Sequence, residues 1–108
     1  MCIDYLLYEQ HAAAYIQNKG YEILFENYRR SRIQIDVVAR KENVLVIIEV
    51  KYRKNEGLPC ELISRGQMQR ILNEAGPLMA QYHCLEWQLL LFYYTGESLV
   101  PQLFPIEC

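Results

Sequence analysis

Three charged residues stand where apolar strands should run uninterrupted. Residues 44–52 read Val-Leu-Val-Ile-Ile-Glu-Val-Lys-Tyr, an apolar run broken at Glu49 and Lys51. Strand residues at i and i+2 project from one face, so these two share a side of a strand patterned for burial on both faces. Asp36 stands likewise within Ile35-Asp36-Val37-Val38. Such ions are costly to bury unless they are paired or bind something. If Glu42–Asn43 forms a two-residue turn, Lys41 pairs with Val44. Continuing that register sets Asp36 opposite Glu49 and Gln34 opposite Lys51. Facing carboxylates repel. A hard divalent cation, Mg²⁺ or Mn²⁺, relieves the repulsion. Lys51 beside it could orient or help deprotonate a water, or stabilise charge developing on phosphorus. The competing reading is a structural ion pair of Lys51 with Glu49 or Asp36 at the strand end.

Charge is distributed unevenly around these residues. Residues 29–54 carry 8 of the 11 basic side chains, among them Arg29, Arg30, Arg32, Arg53 and Lys54. With only Asp36, Glu42 and Glu49 against them, the segment is +5 in a chain of net charge −2. Such a segment is a candidate for contacting the phosphates of DNA; a solvated charged face is the alternative.

The elements that must hold these groups follow from pattern. Residues 4–19 predict a helix capped by Asp4 and stopped by Gly20, with Leu6, Leu7, Ala13, Ala14 and Tyr15 or Ile16 along its apolar stripe. Glu9 borders that stripe. Strands are predicted over 21–28, 33–40 and 44–52, with a basic loop, Arg29 to Arg32, between the first two. A polar loop over 53–62 contains Gly57 and Pro59. Ser64 caps a second helix from about 65 to 83, with a kink or break expected at Gly76–Pro77. Residues 86–94 form a buried strand, Thr95–Gly96–Glu97 a turn, and the tail with Pro101 and Pro105 an edge strand or coil. The order αβββαβ is that of an α/β layer sandwich.

Composition bounds the rest. The 108 residues suit a single domain, and 52% hydrophobic with 22% charged excludes disorder. No apolar run spans a membrane and no basic segment precedes an apolar one, so the expected location is cytoplasmic. The four cysteines, Cys2, Cys60, Cys84 and Cys108, lack C-x-x-C spacing, which argues against structural zinc. Of the nine tyrosines, Tyr15, Tyr82, Tyr93 and Tyr94 read as core, and Tyr52 as a candidate to stack on a base.

Asp36 followed by Glu49-Val50-Lys51 on the next strand looks like the PD-(D/E)XK nuclease signature. Within that superfamily the chain resembles the YraN-like family of predicted endonucleases, relatives of archaeal Holliday-junction resolvases. The resemblance runs through Glu9-Gln10-His11-Ala12, Gly20-Tyr21-Glu22-Ile23-Leu24, Asn27-Tyr28-Arg29, Ile35-Asp36-Val37-Val38-Ala39 and Ile48-Glu49-Val50-Lys51-Tyr52-Arg53. It implies a restriction-endonuclease-like three-layer sandwich with a central mixed sheet. It also implies an endonuclease-like protein acting on DNA, branched or damaged DNA included, by attack of a metal-activated water. Asp36 and Glu49 would be ligands of Mg²⁺ or Mn²⁺, Lys51 the catalytic lysine, and Glu9 an auxiliary acid. Gln67 or Gln69 would match the polar position of the second helix. DNA is the implied partner, with a homodimer as a further expectation. Two departures stand out. Ile33-Gln34-Ile35-Asp36 replaces the family's Gly-Glu-Ile-Asp, and Glu86-Trp87-Gln88-Leu89 has no counterpart of its Arg-Phe-Asp. The alternative is therefore a nucleic-acid-binding module of nuclease ancestry with little or no catalysis. More distant is a small interaction domain whose acid–lysine group is structural.

Overall fold

Helix α1 (Tyr5–Asn18) ends where Gly20 lets it end. At φ +92° Gly20 takes a left-handed conformation that costs a glycine little. Its N–H donates to the Gln17 carbonyl and the Tyr21 N–H to that of Ile16, satisfying two end-of-helix acceptors. The computed structural model describes residues 5–53, 63–96 and 99–106. Asp4, Lys54, the loop with Gly57 and Pro59, Glu97, and Cys2, Cys60 and Cys108 lie outside them.

Strands β1 (Glu22–Arg30), β2 (Ile33–Lys41) and β3 (Val44–Arg53) follow as an antiparallel meander. Lys41 pairs with Val44 across the two-residue turn, the register expected if Glu42–Asn43 turns the chain, and Glu42 takes a positive φ of 56° there. Helix α2 (Arg65–Gln81) then crosses over to β4 (Glu86–Thr95), which runs parallel to β3. A parallel neighbour needs such a crossover. The tail returns as β5 (Gln102–Ile106), antiparallel to β4, so the mixed sheet has five strands in the order β1-β2-β3-β4-β5.

The two helices cover opposite faces of this sheet. Val46, Ile48 and Val50 of β3 pack with Tyr8, Ala12, Ala13 and Ile16 of α1. The alternate residues Leu45 and Ile47 pack with Ile71, Ala75 and Leu78 of α2. Both faces of β3 are therefore covered, which is why its sequence is apolar at consecutive positions. The stripe of α1 agrees with expectation at Ala13 and Ile16 and departs from it elsewhere. Tyr8, Glu9, Ala12, Ala13 and Ile16 are buried, whereas Leu6, Leu7 and Ala14 are exposed. The small alanines let the helix lie close to the sheet, and Tyr8 supplies the bulk.

Ser64 caps α2 as expected, its hydroxyl accepting from the Gln67 N–H at 3.1 Å. The expected break at Gly76–Pro77 does not occur, and the helix continues through both. Both residues face solvent, so water can satisfy the carbonyl of residue 73 that loses its donor. Replacing Pro77 with Ala restores the N–H on this exposed face. We expect Pro77→Ala to stabilise the fold by about 1–3 kcal/mol, read as a higher urea midpoint with unchanged m-value.

Candidate active site

Asp36 occupies an interruption in the sheet. Pairing of β2 with β3 stops at Val37–Ile48, one step short of the expected Asp36–Glu49 pair. Beyond that step Asp36 Oδ2 accepts the Val50 N–H at 2.7 Å, a side chain standing where a ladder carbonyl would. On the other side β1 pairs Glu26 with Val37 and Tyr28 with Ile35, and the intervening Asn27 adopts φ +57°. The alternation of faces slips here. Ile35 packs on the α2 side, whereas Val37 and Ala39 pack on the α1 side. The slip turns Asp36 into the space that Glu49 and Lys51 also face.

Glu49 is 2% exposed, and each of its oxygens has a different fate. Oε2 accepts from Gln67 Nε2 of α2 at 2.9 Å. Oε1 is buried and has no hydrogen-bond partner. Burial, reinforced by the neighbouring Asp36 carboxylate and opposed by Lys51, pushes the Glu49 carboxyl up to about 8. The ion pairs among the described residues are Arg30–Glu74 and Arg40–Glu22. Lys51 is thus bound to neither carboxylate, and the structural ion pair weighed from sequence is not formed.

These groups line a cavity of about 350 Å³ between the β1–β2 turn, the ends of β2 and β3, and the first turns of α2. Asp36 and Glu49 are its acids; Arg32, Lys51 and Arg70 are its cations. Gln34 also lines it, exposed, with its amide on Asn27 Oδ1 at 3.3 Å. Two carboxylates leave most of a cation's coordination to water or substrate, a pattern that suits Mg²⁺. Among the described residues no three His, Cys, Asp or Glu side chains cluster as a metal site.

Other candidates lie elsewhere. Glu9 is buried under α1 and does not line the cavity. Arg29 and Arg53 are exposed, and Arg53 Nη1 donates to the Tyr52 carbonyl at 2.8 Å. Arg30 reaches back to Glu74 at 3.3 Å, where the buried carboxylate also accepts the Tyr28 hydroxyl. Gln69 bonds Asn73, so Gln67 is the residue that meets Glu49. Tyr52 is packed on the α1 side, its ring stacked 4.9 Å from that of Tyr8. It is therefore committed to the core rather than held out for a base. Arg70 and Glu74 were missed from sequence, although their spacing of three and seven from Gln67 sets all three on one helix face.

The model of the family described as "Uncharacterised protein family UPF0102" matches residues 8–91. The chain belongs to the UPF0102 family. A UPF0102 protein of Nitrobacter winogradskyi is 42% identical over 90% of this chain and 80% of its own. One from Cytophaga hutchinsonii is 32% identical over 91% and 89%. A third, from Lachnoclostridium phytofermentans, is 44% identical over 68% of this chain, and the match spans 64% of that relative. The UPF0102 match contains every described residue of the cavity and ends before β5.

The raised carboxyl of Glu49 has a signed consequence for stability. Its folded value of about 8 exceeds the ordinary 4.5, so the folded state holds the proton more tightly. That contribution is full below about pH 4.5 and is lost as pH rises to about 8. The slope contributed is at most ~1.4 kcal/mol per pH unit. Glu49→Gln keeps the shape and removes the charge. Urea unfolding at several pH values should show a fall from pH 5 to about 8 in the wild type that is flattened in Glu49→Gln; parallel curves would locate the titration elsewhere.

Proposed function

We propose that this chain is a metal-dependent endonuclease-like protein acting on DNA, of the PD-(D/E)XK type on a restriction-endonuclease-like sandwich. One observation carries the reading. Glu49 Oε1 is buried without a donor beside a second carboxylate, and the nearby Lys51 is unpaired in the same cavity. A purely structural acid–lysine group would have closed on itself.

The residues fit Mg²⁺ or Mn²⁺. Asp36 and the free oxygen of Glu49 would hold the ion, while Gln67 fixes the other oxygen of Glu49. When bound, such an ion supplies Lewis-acid polarisation of a phosphoryl oxygen and a lower pKa for water. Asp36 is held by the Val50 amide, so its second oxygen keeps a fixed direction. Lys51 reaches the cavity as a cation free to face charge that develops on phosphorus or to orient the attacking water. Arg29, Arg32 and Arg53 are exposed and can follow a phosphate backbone. Gln34 favours a second reading, a binding module with little or no cleavage, because its amide brings no negative charge to the cavity.

Added Mg²⁺ or Mn²⁺ should raise the melting temperature, by about 2–3 kcal/mol of stability at about a hundredfold excess over Kd. Asp36→Asn keeps an acceptor for the Val50 amide and should fold, yet lose that shift; an equal shift would remove Asp36 from the ligand set. Lys51→Ala should keep the metal shift and abolish Mn²⁺-supported cleavage of branched, flapped, single-stranded and duplex DNA. Salt-sensitive binding without cleavage by the wild type would favour the binding module, and gain of cleavage in Gln34→Glu would assign the difference to Gln34.

A further inference from the structure

Three cations line the cavity. Lys51 is placed for the proposed chemistry and Arg32 belongs to the basic loop, whereas Arg70 stands apart on α2. Arg32 and Arg70 line the cavity from two different elements, one from the β1–β2 turn and the other from α2. Among the described residues neither side chain makes a hydrogen bond or an ion pair. Arg70 is turned toward the start of its helix. Its Nη2 lies 3.5 Å from where a β-carbon on Gly66 would be, so the guanidinium lies over the one residue of that turn without a side chain. By contrast, Arg30 and Arg40 are committed to Glu74 and Glu22. The unpartnered oxygen of Glu49 marks the floor of the same space as the place for a positive ion. A cavity with a cation-seeking floor and guanidinium groups on two walls suits a ligand that bridges them: an anion whose oxygens face both.

We propose that Arg32 and Arg70 form a two-sided clamp on a single phosphodiester of the nucleic-acid strand, holding its non-bridging oxygens over the Asp36–Glu49 floor. The clamp deepens the nuclease reading by naming the group that seats the phosphate. Planar guanidinium forks can each bind two oxygens, which a lysine cannot do. Because both arginines hold one phosphate, their contributions are coupled. Contacts to two separate phosphates along the backbone would act independently.

The experiment is fluorescence anisotropy of a short labelled single-stranded DNA oligonucleotide, with Ca²⁺ present, for wild type, Arg32→Gln, Arg70→Gln and the double variant. All substituted side chains are exposed, so folding is not at risk. Each single variant should weaken binding about 5–10-fold. The double variant should lose clearly less than the product of the two, and Arg70→Lys should fall between wild type and Arg70→Gln. The Mg²⁺-induced rise in melting temperature, measured on the same samples, should survive in all variants. Unchanged affinity in Arg70→Gln overturns the clamp, even if the wild type binds metal and cleaves DNA. A loss equal to the product of the singles also overturns it, since the arginines would then serve different phosphates. If coupled losses appear in a protein with no metal-dependent shift, the clamp stands and the nuclease reading falls.

Discussion

The hydrogen bond from the Val50 amide to Asp36 Oδ2 joins the architecture of the sheet to the chemistry of its end. An amide this deep in a sheet must find an acceptor. Here the acceptor is a side chain, and the two strands part at the point where it takes over. With that one substitution of carboxylate for carbonyl, a second ionisable group can sit close to Glu49 without the sheet unzipping. The desolvation of Glu49, the bond from Gln67 and the orientation of the cavity all follow from strands that pair closely up to Val37–Ile48 and then diverge.

The cations sort by whether the fold has already claimed them. Arg40 is held by Glu22 and the Tyr82 carbonyl, so it ties β2 to the end of α2. Arg30 goes to the buried Glu74, where the Tyr28 hydroxyl is the other donor. Burial and the Glu74 carboxylate both raise the Tyr28 phenol, which keeps it a donor. Arg32, Lys51 and Arg70 remain uncommitted and face the same cavity. A count of basic residues between 29 and 54 treats Arg30, Arg32, Arg40 and Lys51 alike and omits Arg70, whereas the contacts divide them into structural and available groups.

Legibility in the sequence followed the range of the interaction. The β2–β3 hairpin was readable because two residues, Glu42 and Asn43, fix its register locally. The Ser64 cap and the Gly20 stop were readable for the same reason. The slip at Asp36 was not, since it depends on Asn27 across β1 and on an amide fourteen residues away. The stripe of α1 was legible at Ala13 and Ile16 but misplaced at Leu6 and Leu7, which outrank Ala12 in hydrophobicity, whereas close approach to the sheet selects the smaller side chain. Arg70 escaped because one arginine on a helix has no pattern until β2 is placed opposite it.

β4 carries Leu-Leu-Leu-Phe-Tyr-Tyr, and β3 protects only one of its edges. Uncovered, its other edge would be a long apolar template for adding strands from further molecules. β5 covers that edge with five residues, beyond the stretch that the family match spans. It includes Pro105, which has no N–H to donate to a newcomer. In place of a long apolar edge, the sheet therefore ends in a five-residue strand that carries a proline.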